Sequence, residues 1–216
     1  MIIFKDRVEA GKMLAEKCLH LKGTADVLVF GIPRGGLPVA FEIAKVLRCP
    51  LDVFLVRKLG LPYHEELAMG AIAQGGIKYL NEDVIGYSRV TESDIQAVVV
   101  KEQQELDRRY AKYRGNRKPF NLVGKTVILV DDGLATGATM KAAILAVKTQ
   151  QPKKVIVATP VSAQDTCREI AEMVEEVICI EAPEWFSAVG EWYQSFPQTT
   201  DEEVIEILKQ GDALGK

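Results

Sequence analysis

The chain has 216 residues, 48% of them hydrophobic, with 27 Lys and Arg against 30 Asp and Glu for a formal net charge of −3. That is enough apolar material for one sizeable core, and no low-complexity linker divides it, so a single domain over residues 1–216 is expected. The slightly acidic balance argues against a nucleic-acid partner, and no apolar run reaches membrane-spanning length.

The first residues show no signal-peptide pattern, and Cys18, Cys49, Cys167 and Cys179 have no close metal spacing, so reduced thiols in a cytoplasm are expected. Asp6 to Leu21 reads as an amphipathic helix, with His20 a structural residue near its end. Val27 to Ile32 reads as a strand and Leu37 to Leu47 as a helix, with Pro33-Arg34-Gly35-Gly36 between them. Arg34 offers a fork of donors for an anion, and Gly35 and Gly36 let backbone amides approach it. Alone, such a sequence is more often only a turn; its place one unit before an acidic motif raises its weight.

Leu51 to Lys58 reads as one strand ending in two cations, Arg57 and Lys58, at the edge where an open α/β sheet binds ligands. From Leu59 to Gly70 the pattern breaks, flanked by glycines, so a mobile loop over roughly residues 58–80 is expected. It carries His64, Glu65 and Glu66, candidates for acid or base work or else exposed loop charges. Gly75-Gly76, between Ala71-Ile-Ala and Ile77-Lys-Tyr-Leu, marks a hairpin. Thr91 to Tyr113 reads as a charged helix with Glu105 and Arg109 at i,i+4 spacing and an apolar stripe from Ile95 through Leu106 to Tyr113. Its basic end, Arg108, Arg109, Arg114, Arg117 and Lys118, reads as a solvated or subunit-contact face.

Val127 to Met140 is the most informative stretch: a fully apolar strand runs into Asp131 and Asp132 and then into Gly133-Leu-Ala-Thr-Gly-Ala-Thr139. Lys141 to Val147 continues as a helix, so the turn lies at a strand end and a helix start, where unpaired amides favour a phosphate. Thr136 and Thr139 add hydroxyl donors, and Gly133 and Gly137 permit tight turns. Two adjacent carboxylates would repel a phosphate, so they face another part of the ligand: neutral hydroxyls or a magnesium ion. A ribose 5-phosphate offers both.

Lys154 to Ala158, Gln164 to Met173 and Glu176 to Ile180 read as strand, helix, strand. This alternation predicts an α/β fold with a mostly parallel, doubly wound sheet that gathers the polar loops at one edge. Residues 181–216 make a small C-terminal hood, in which Glu181 to Phe196 holds both tryptophans and Thr200 opens a last helix.

The segment Val127 to Met140 closely resembles the phosphoribosyl-pyrophosphate (PRPP) motif of the type I phosphoribosyltransferases, and the overall pattern is most similar to the uncharacterised predicted members of that family. The resemblance implies that Asp131 and Asp132 hold the ribose hydroxyls and that Ala135, Thr136, Gly137, Ala138 and Thr139 bind the 5-phosphate. Arg34, Gly35 and Gly36 resemble its pyrophosphate loop, completed by Arg57 and Lys58. A flexible catalytic loop falls at His64, Glu65 and Glu66, and Trp185 or Phe186 would stack on the acceptor. Magnesium would enter mainly through PRPP, with Asp131 or Asp132 as its protein ligand, and a homodimer is expected.

The implied reaction is attack by a nitrogen nucleophile, or by water, at the anomeric carbon of PRPP as pyrophosphate leaves. Enzymes of the family acting on 6-oxopurines usually carry an acid where Ala135 stands, which argues against those acceptors. A PRPP sensor without turnover is the alternative. Rossmann and P-loop nucleotide sites are disfavoured because Gly-x-Gly-x-x-Gly and Gly-x4-Gly-Lys-Ser/Thr are missing.

Overall fold

The computed structural model describes residues 3–74, 76–115, 118 and 120–214, with Glu65 and Glu66 described in their backbone only. Helix α1 (Arg7–Lys17) starts where the Asp6 carboxylate accepts from the Glu9 amide, and a short 3-10 turn at Leu19–Leu21 ends the first helical stretch. His20 pairs with Glu176 at 2.9 Å on the surface, a structural contact as expected. Strand β1 (Val27–Gly31), helix α2 (Gly36–Leu47) and strand β2 (Leu51–Val53) form the first βαβ unit. After an antiparallel insertion come β6 (Thr126–Val130), α5 (Ala138–Lys148), β7 (Lys154–Val161), α6 (Gln164–Ala171) and β8 (Glu176–Glu181).

These strands make one five-stranded parallel sheet in the order β2-β1-β6-β7-β8. Alternation along the strands explains why it is covered twice. Val29, Ile128, Val130 and Ile156 face α1 and α2, whereas Leu28, Phe30, Leu129 and Val157 face α5 and α6. The chain order reverses between β1 and β6, so their carboxyl ends diverge into loops on either side of one crevice.

The reading of Leu51 to Lys58 as a single strand is corrected. β2 stops at Val53, the Phe54 amide donates to the Gly31 carbonyl at 3.0 Å, and the chain restarts as β3 (Val56–Leu61) in a different sheet. β3 pairs antiparallel with β4 (His64–Ala73), which pairs with β5 (Ile77–Leu80). Phe54 and Leu55 are buried, so the apolar run crosses the break without a polar signal. Arg57 and Lys58 therefore stand in a three-stranded antiparallel sheet, not at the end of a parallel strand.

The irregular loop expected from Leu59 to Gly70 is likewise a strand pair, turning at Pro62 and Tyr63. Its glycines have other duties. Gly60 lies where the register shifts, and a Cβ on Gly70 would stand 2.3 Å from the Tyr79 carbonyl across the ladder. The hairpin expected at Gly75-Gly76 joins β4 to β5, with Gly76 at φ +77; Gly75 lies outside the described residues.

Helix α3 (Glu82–Ser88), capped by Asn81, has no counterpart in the sequence reading. Helix α4 (Glu92–Arg114) has a capping box between Thr91 and Asp94. Its stripe Ile95, Leu106 and Tyr113 packs with Leu59, Met69 and Ile72 of the antiparallel sheet and with Val204 and Leu208 of helix α7 (Asp201–Gly211). The basic end of α4 is not one exposed face. Arg108 and Arg109 both grip Glu105, whose carboxyl they hold down to about 2, while Arg114 is buried against Asp52 of β2 at 2.6 Å. Arg117 lies outside the described residues.

Candidate active site

The loops after β1 and β6 meet because their strands are hydrogen-bonded neighbours, Gly31 opposite Val130. The Ile32 amide reaches across to the Val130 carbonyl at 2.8 Å, and the Gly36 amide closes the turn onto the Ile32 carbonyl at 3.0 Å. The Pro33–Arg34 peptide between them is cis. A Cβ on Gly35 would lie 2.0 Å from Asp132 Oδ2, and one on Gly36 would lie 2.5 Å from the Val130 carbonyl. The two glycines are thus required by contact with the acidic turn itself.

Asp131 and Asp132 sit at the base of the crevice, with the Asp132 amide donating to Asp131 Oδ1 at 2.9 Å. Burial, and then the charge of Asp132, raises the Asp131 carboxyl well above the usual carboxylate range. Burial raises Asp132 too, against the opposing hydrogen bond and charge of Arg7, whose Nε lies 2.7 Å from Asp132 Oδ2. Tyr193 Oη donates to the Asp132 carbonyl at 2.5 Å.

The turn that follows is pinned at its start and open at its middle. Leu134 bridges Ser162, its amide donating to the Val161 carbonyl at 3.0 Å, and Thr166 Oγ1 donates to the Ala135 carbonyl at 2.5 Å. Gly137, at φ +67, precedes α5; a Cβ there would strike Thr166 at 2.6 Å. Ala135, Thr136, Ala138 and Thr139 are exposed around it, leaving the first turn of α5 accessible.

The third candidate group divides. Pro33, Arg57 and Thr139 line one narrow cleft, which places the glycine loop, β3 and the threonine turn side by side. The Arg57 guanidinium is engaged by Glu102 of α4, at 2.7 Å and 2.5 Å from its Nε and Nη2. Lys58 lies between a cleft of about 320 Å³ shared with Arg57 and Thr139 and one of about 260 Å³ shared with Thr136, Ala138 and Lys141. Lys58 therefore borders the threonine turn. Arg34 Nη1 stands 3.7 Å from Asp201 Oδ1 at the start of α7, where Lys112 also pairs at 2.6 Å.

Other candidates fall elsewhere. His64 lines an outer cleft of about 400 Å³ with Tyr63, Leu67 and Tyr87, which contains neither acid nor any residue of the threonine turn. The side chains of Glu65 and Glu66 lie outside the described residues. Trp185 is 88% exposed, whereas Phe186 stacks on Trp192 with ring centroids 6.2 Å apart. Trp192 and Tyr193 are buried with Phe4 in a satellite core. The N-terminal segment helps build this hood: the Phe4 amide donates to the Trp192 carbonyl at 2.8 Å.

Arg7, Tyr193 and Thr166 were not among the sequence candidates. Arg7 is 125 positions from Asp132, and nothing local distinguishes it from any other helical arginine. Among the described residues no group of three or more His, Cys, Asp or Glu is placed to hold a metal, and no helix is long and apolar enough to cross a membrane.

Known proteins resemble this chain in sequence and in fold. Relatives in Mycobacterium tuberculosis strains CDC 1551 and H37Rv, whose names assign them provisionally to the phosphoribosyl transferases, are 44% identical over 208 residues. That match takes in 96% of this chain but 47% of theirs, so the chain spans about half the length of these relatives. The crystal structure of TT1426 from Thermus thermophilus superposes with a TM-score of 0.89 at 38% identity, covering 97% of this chain and 99% of the other. AQ2163 from Aquifex aeolicus shares the fold at a TM-score of 0.50 and 16% identity, covering 83% of this chain and 74% of its own. Residues 4–194 match the phosphoribosyl transferase domain, and the chain belongs to that family.

Proposed function

We propose that this protein transfers ribose 5-phosphate from PRPP to a nitrogenous acceptor with release of pyrophosphate. The observation that carries the reading is the seating of Gly35 and Gly36 directly on Asp131 and Asp132, beside an open threonine turn at the reversal of strand order. In this reading the parts of one ligand fall where the family resemblance implies. The 5-phosphate lies on the Ala135 to Thr139 turn, with Lys58 bordering it; the ribose hydroxyls donate to the acid pair; the pyrophosphate meets Arg34 and the backbone of Gly35 and Gly36.

In the reaction the bond from the anomeric carbon to the pyrophosphate oxygen breaks as the acceptor nitrogen bonds to that carbon. Positive character on the sugar is stabilised by nearby carboxylate charge, and the departing anion by Arg34. Asp131 or Asp132 would hold a magnesium ion arriving with the substrate phosphates, and the ion would supply neutralising charge beside the leaving group. His64 lies outside these clefts and is given no step. Trp185, on the rim, is the candidate platform for the acceptor ring. We further place the protein in the cytoplasm as a homodimer. Burial pushes Cys18 and Cys49 up to about 12, which suits unreactive, reduced thiols.

Incubation with PRPP, magnesium and a panel of bases, scored by pyrophosphate release, tests the reading. Release with at least one base is expected, together with its loss, by at least a hundredfold, in folded Asp131→Asn/Asp132→Asn, about 3 kcal/mol of transition-state stabilisation. Binding of PRPP without release for any base would favour a PRPP-binding regulator, and failure to bind it would end both readings.

A further inference from the structure

The threonine turn can offer its backbone amides to an anion only if its peptide planes face the right way, and the turn residues alone do not fix that. The Ala135–Thr136 and Thr136–Gly137 peptides are trans. In a planar trans peptide the C=O and the next residue's N–H point in opposite directions, so whatever holds a carbonyl also aims the amide behind it.

Both carbonyls are held, and both holders are tied to α6. Thr166, in the first turn of that helix and buried, donates from Oγ1 to the Ala135 carbonyl at 2.5 Å. Lys141 Nζ donates to the next carbonyl, that of Thr136, at 3.1 Å and pairs with Glu169, three residues beyond Thr166. The Thr136 and Gly137 amides are thereby turned away from these donors, and neither donates to another backbone carbonyl among the described residues. Thr166 is seated by its methyl group as well, since a Cβ on Gly137 would lie 2.6 Å from its Cγ2. The loop leading into α6 is itself laced to the turn: the Leu134 amide donates to Val161 at 3.0 Å and the Ala163 amide to Leu134 at 2.9 Å. Thr166 therefore stands on a fixed platform behind the turn.

We propose that Thr166 is a positioning residue for the 5-phosphate site: by holding the Ala135 carbonyl from behind, it aims the Thr136 amide at the phosphate. It acts through the backbone and makes no contact with the ligand itself. The inference rests on the assignment of the 5-phosphate to this turn, proposed above.

Thr166→Val removes the hydroxyl and keeps the shape, whereas Thr166→Ser keeps the hydroxyl and removes the methyl group. Calorimetric titration uses two probes, ribose 5-phosphate for the turn and magnesium pyrophosphate for the Arg34-Gly35-Gly36 loop. Loss of one hydrogen-bonded brace should weaken ribose 5-phosphate binding about fivefold in Thr166→Val, leave magnesium pyrophosphate within about twofold, and be largely restored in Thr166→Ser. Unchanged ribose 5-phosphate affinity in Thr166→Val overturns the proposal. So does an equal loss for both probes, the mark of a merely structural role, or an equal loss in both variants. Should Thr166→Val fail to fold, Thr166→Ala set against Thr166→Ser makes the same hydroxyl comparison without the methyl group.

The second measurement needs no ligand. The ¹⁵N order parameter of the Thr136 amide in the full-length protein should fall in Thr166→Val and stay near the unsubstituted value in Thr166→Ser. An order parameter alike in all three proteins overturns the proposal. If the unsubstituted protein binds magnesium pyrophosphate but not ribose 5-phosphate, the proposal falls with the assignment of the turn. If it binds neither, the functional reading falls, and the Thr136 amide still decides whether Thr166 sets the peptide plane.

Discussion

Asp131 is stabilised least when it is charged. Its carboxyl is raised above the ordinary value of 3.8, first by burial and then by Asp132, so the folded state holds its proton more tightly than the unfolded chain does. The stability this contributes is complete below 3.8 and is lost as pH climbs through the raised folded value. Asn at the same place stays neutral and still accepts from the Asp132 amide. Asp131→Asn should therefore melt roughly 2–4 °C higher at pH 7, equivalent to about 1 kcal/mol, with the gain shrinking toward pH 4. Thermal melts at several pH values check this; a variant less stable at pH 7 than at pH 4, relative to the unsubstituted protein, would contradict it. What could be read in advance at this scale was local. Asp131, Asp132, Gly35 and Thr136 each sit in a short motif whose chemistry is complete within a few positions. Arg7 and Tyr193 reach the acids only through tertiary packing, and a helical arginine or a tyrosine in an aromatic run carries no mark of that destination.

Beyond its apolar stripe, helix α4 is fastened at its C-terminal end by a buried ion pair. Arg114 meets Asp52 with Nη2 to Oδ2 at 2.6 Å and Nε to Oδ1 at 3.0 Å, its side chain 1% exposed, and further donates to the Lys118 carbonyl at 2.8 Å. Through it the end of α4 is fastened to β2, the edge strand of the parallel sheet. Removing one partner strands the other charge, so Asp52→Asn or Arg114→Met should each lower unfolding free energy by about 3–5 kcal/mol, whereas Asp52→Leu with Arg114→Leu should recover much of it. Urea unfolding of the four proteins decides; single substitutions costing under about 1 kcal/mol would show that packing alone holds α4. The helices that open on a capping box, at Thr91 and Thr200, were legible nearly to the residue, whereas α3, capped by Asn81 alone, was missed. The β2–β3 break was not, because a strand that changes sheets stays buried throughout, and periodicity reports burial, not partners.

At the scale of the molecule, the alternation of strands and helices was sufficient to foresee the parallel sheet and the edge where its loops collect. The second sheet was hidden because glycines that serve a bulge and a close ladder contact look, in one dimension, like loop punctuation. The hood has a double construction: an interior of Phe4, Trp192 and Tyr193, and an outer ring, Trp185, standing in solvent. Trp185→Ala should leave the melting temperature within about 1 °C, since surface substitutions of this kind cost within ±0.5 kcal/mol, and leave PRPP affinity unchanged. It should raise the acceptor KM several-fold, the loss of about 1 kcal/mol of stacking. Steady-state kinetics with the active acceptor, once found, checks the split, and an unaltered acceptor KM would remove Trp185 from the site.

Phe4 and Tyr193 form an isolated parallel β-bridge although the whole parallel sheet lies between them in sequence. During synthesis the glycine loop and the acidic turn emerge from the ribosome well before the segment that roofs them. A nascent chain halted before Tyr193 would carry the glycine loop and the threonine turn and still lack the hydroxyl that donates to the Asp132 carbonyl. The acidic turn thus gains its last support only once the hood has been made, and a product cut short of it leaves the Asp132 carbonyl without that donor.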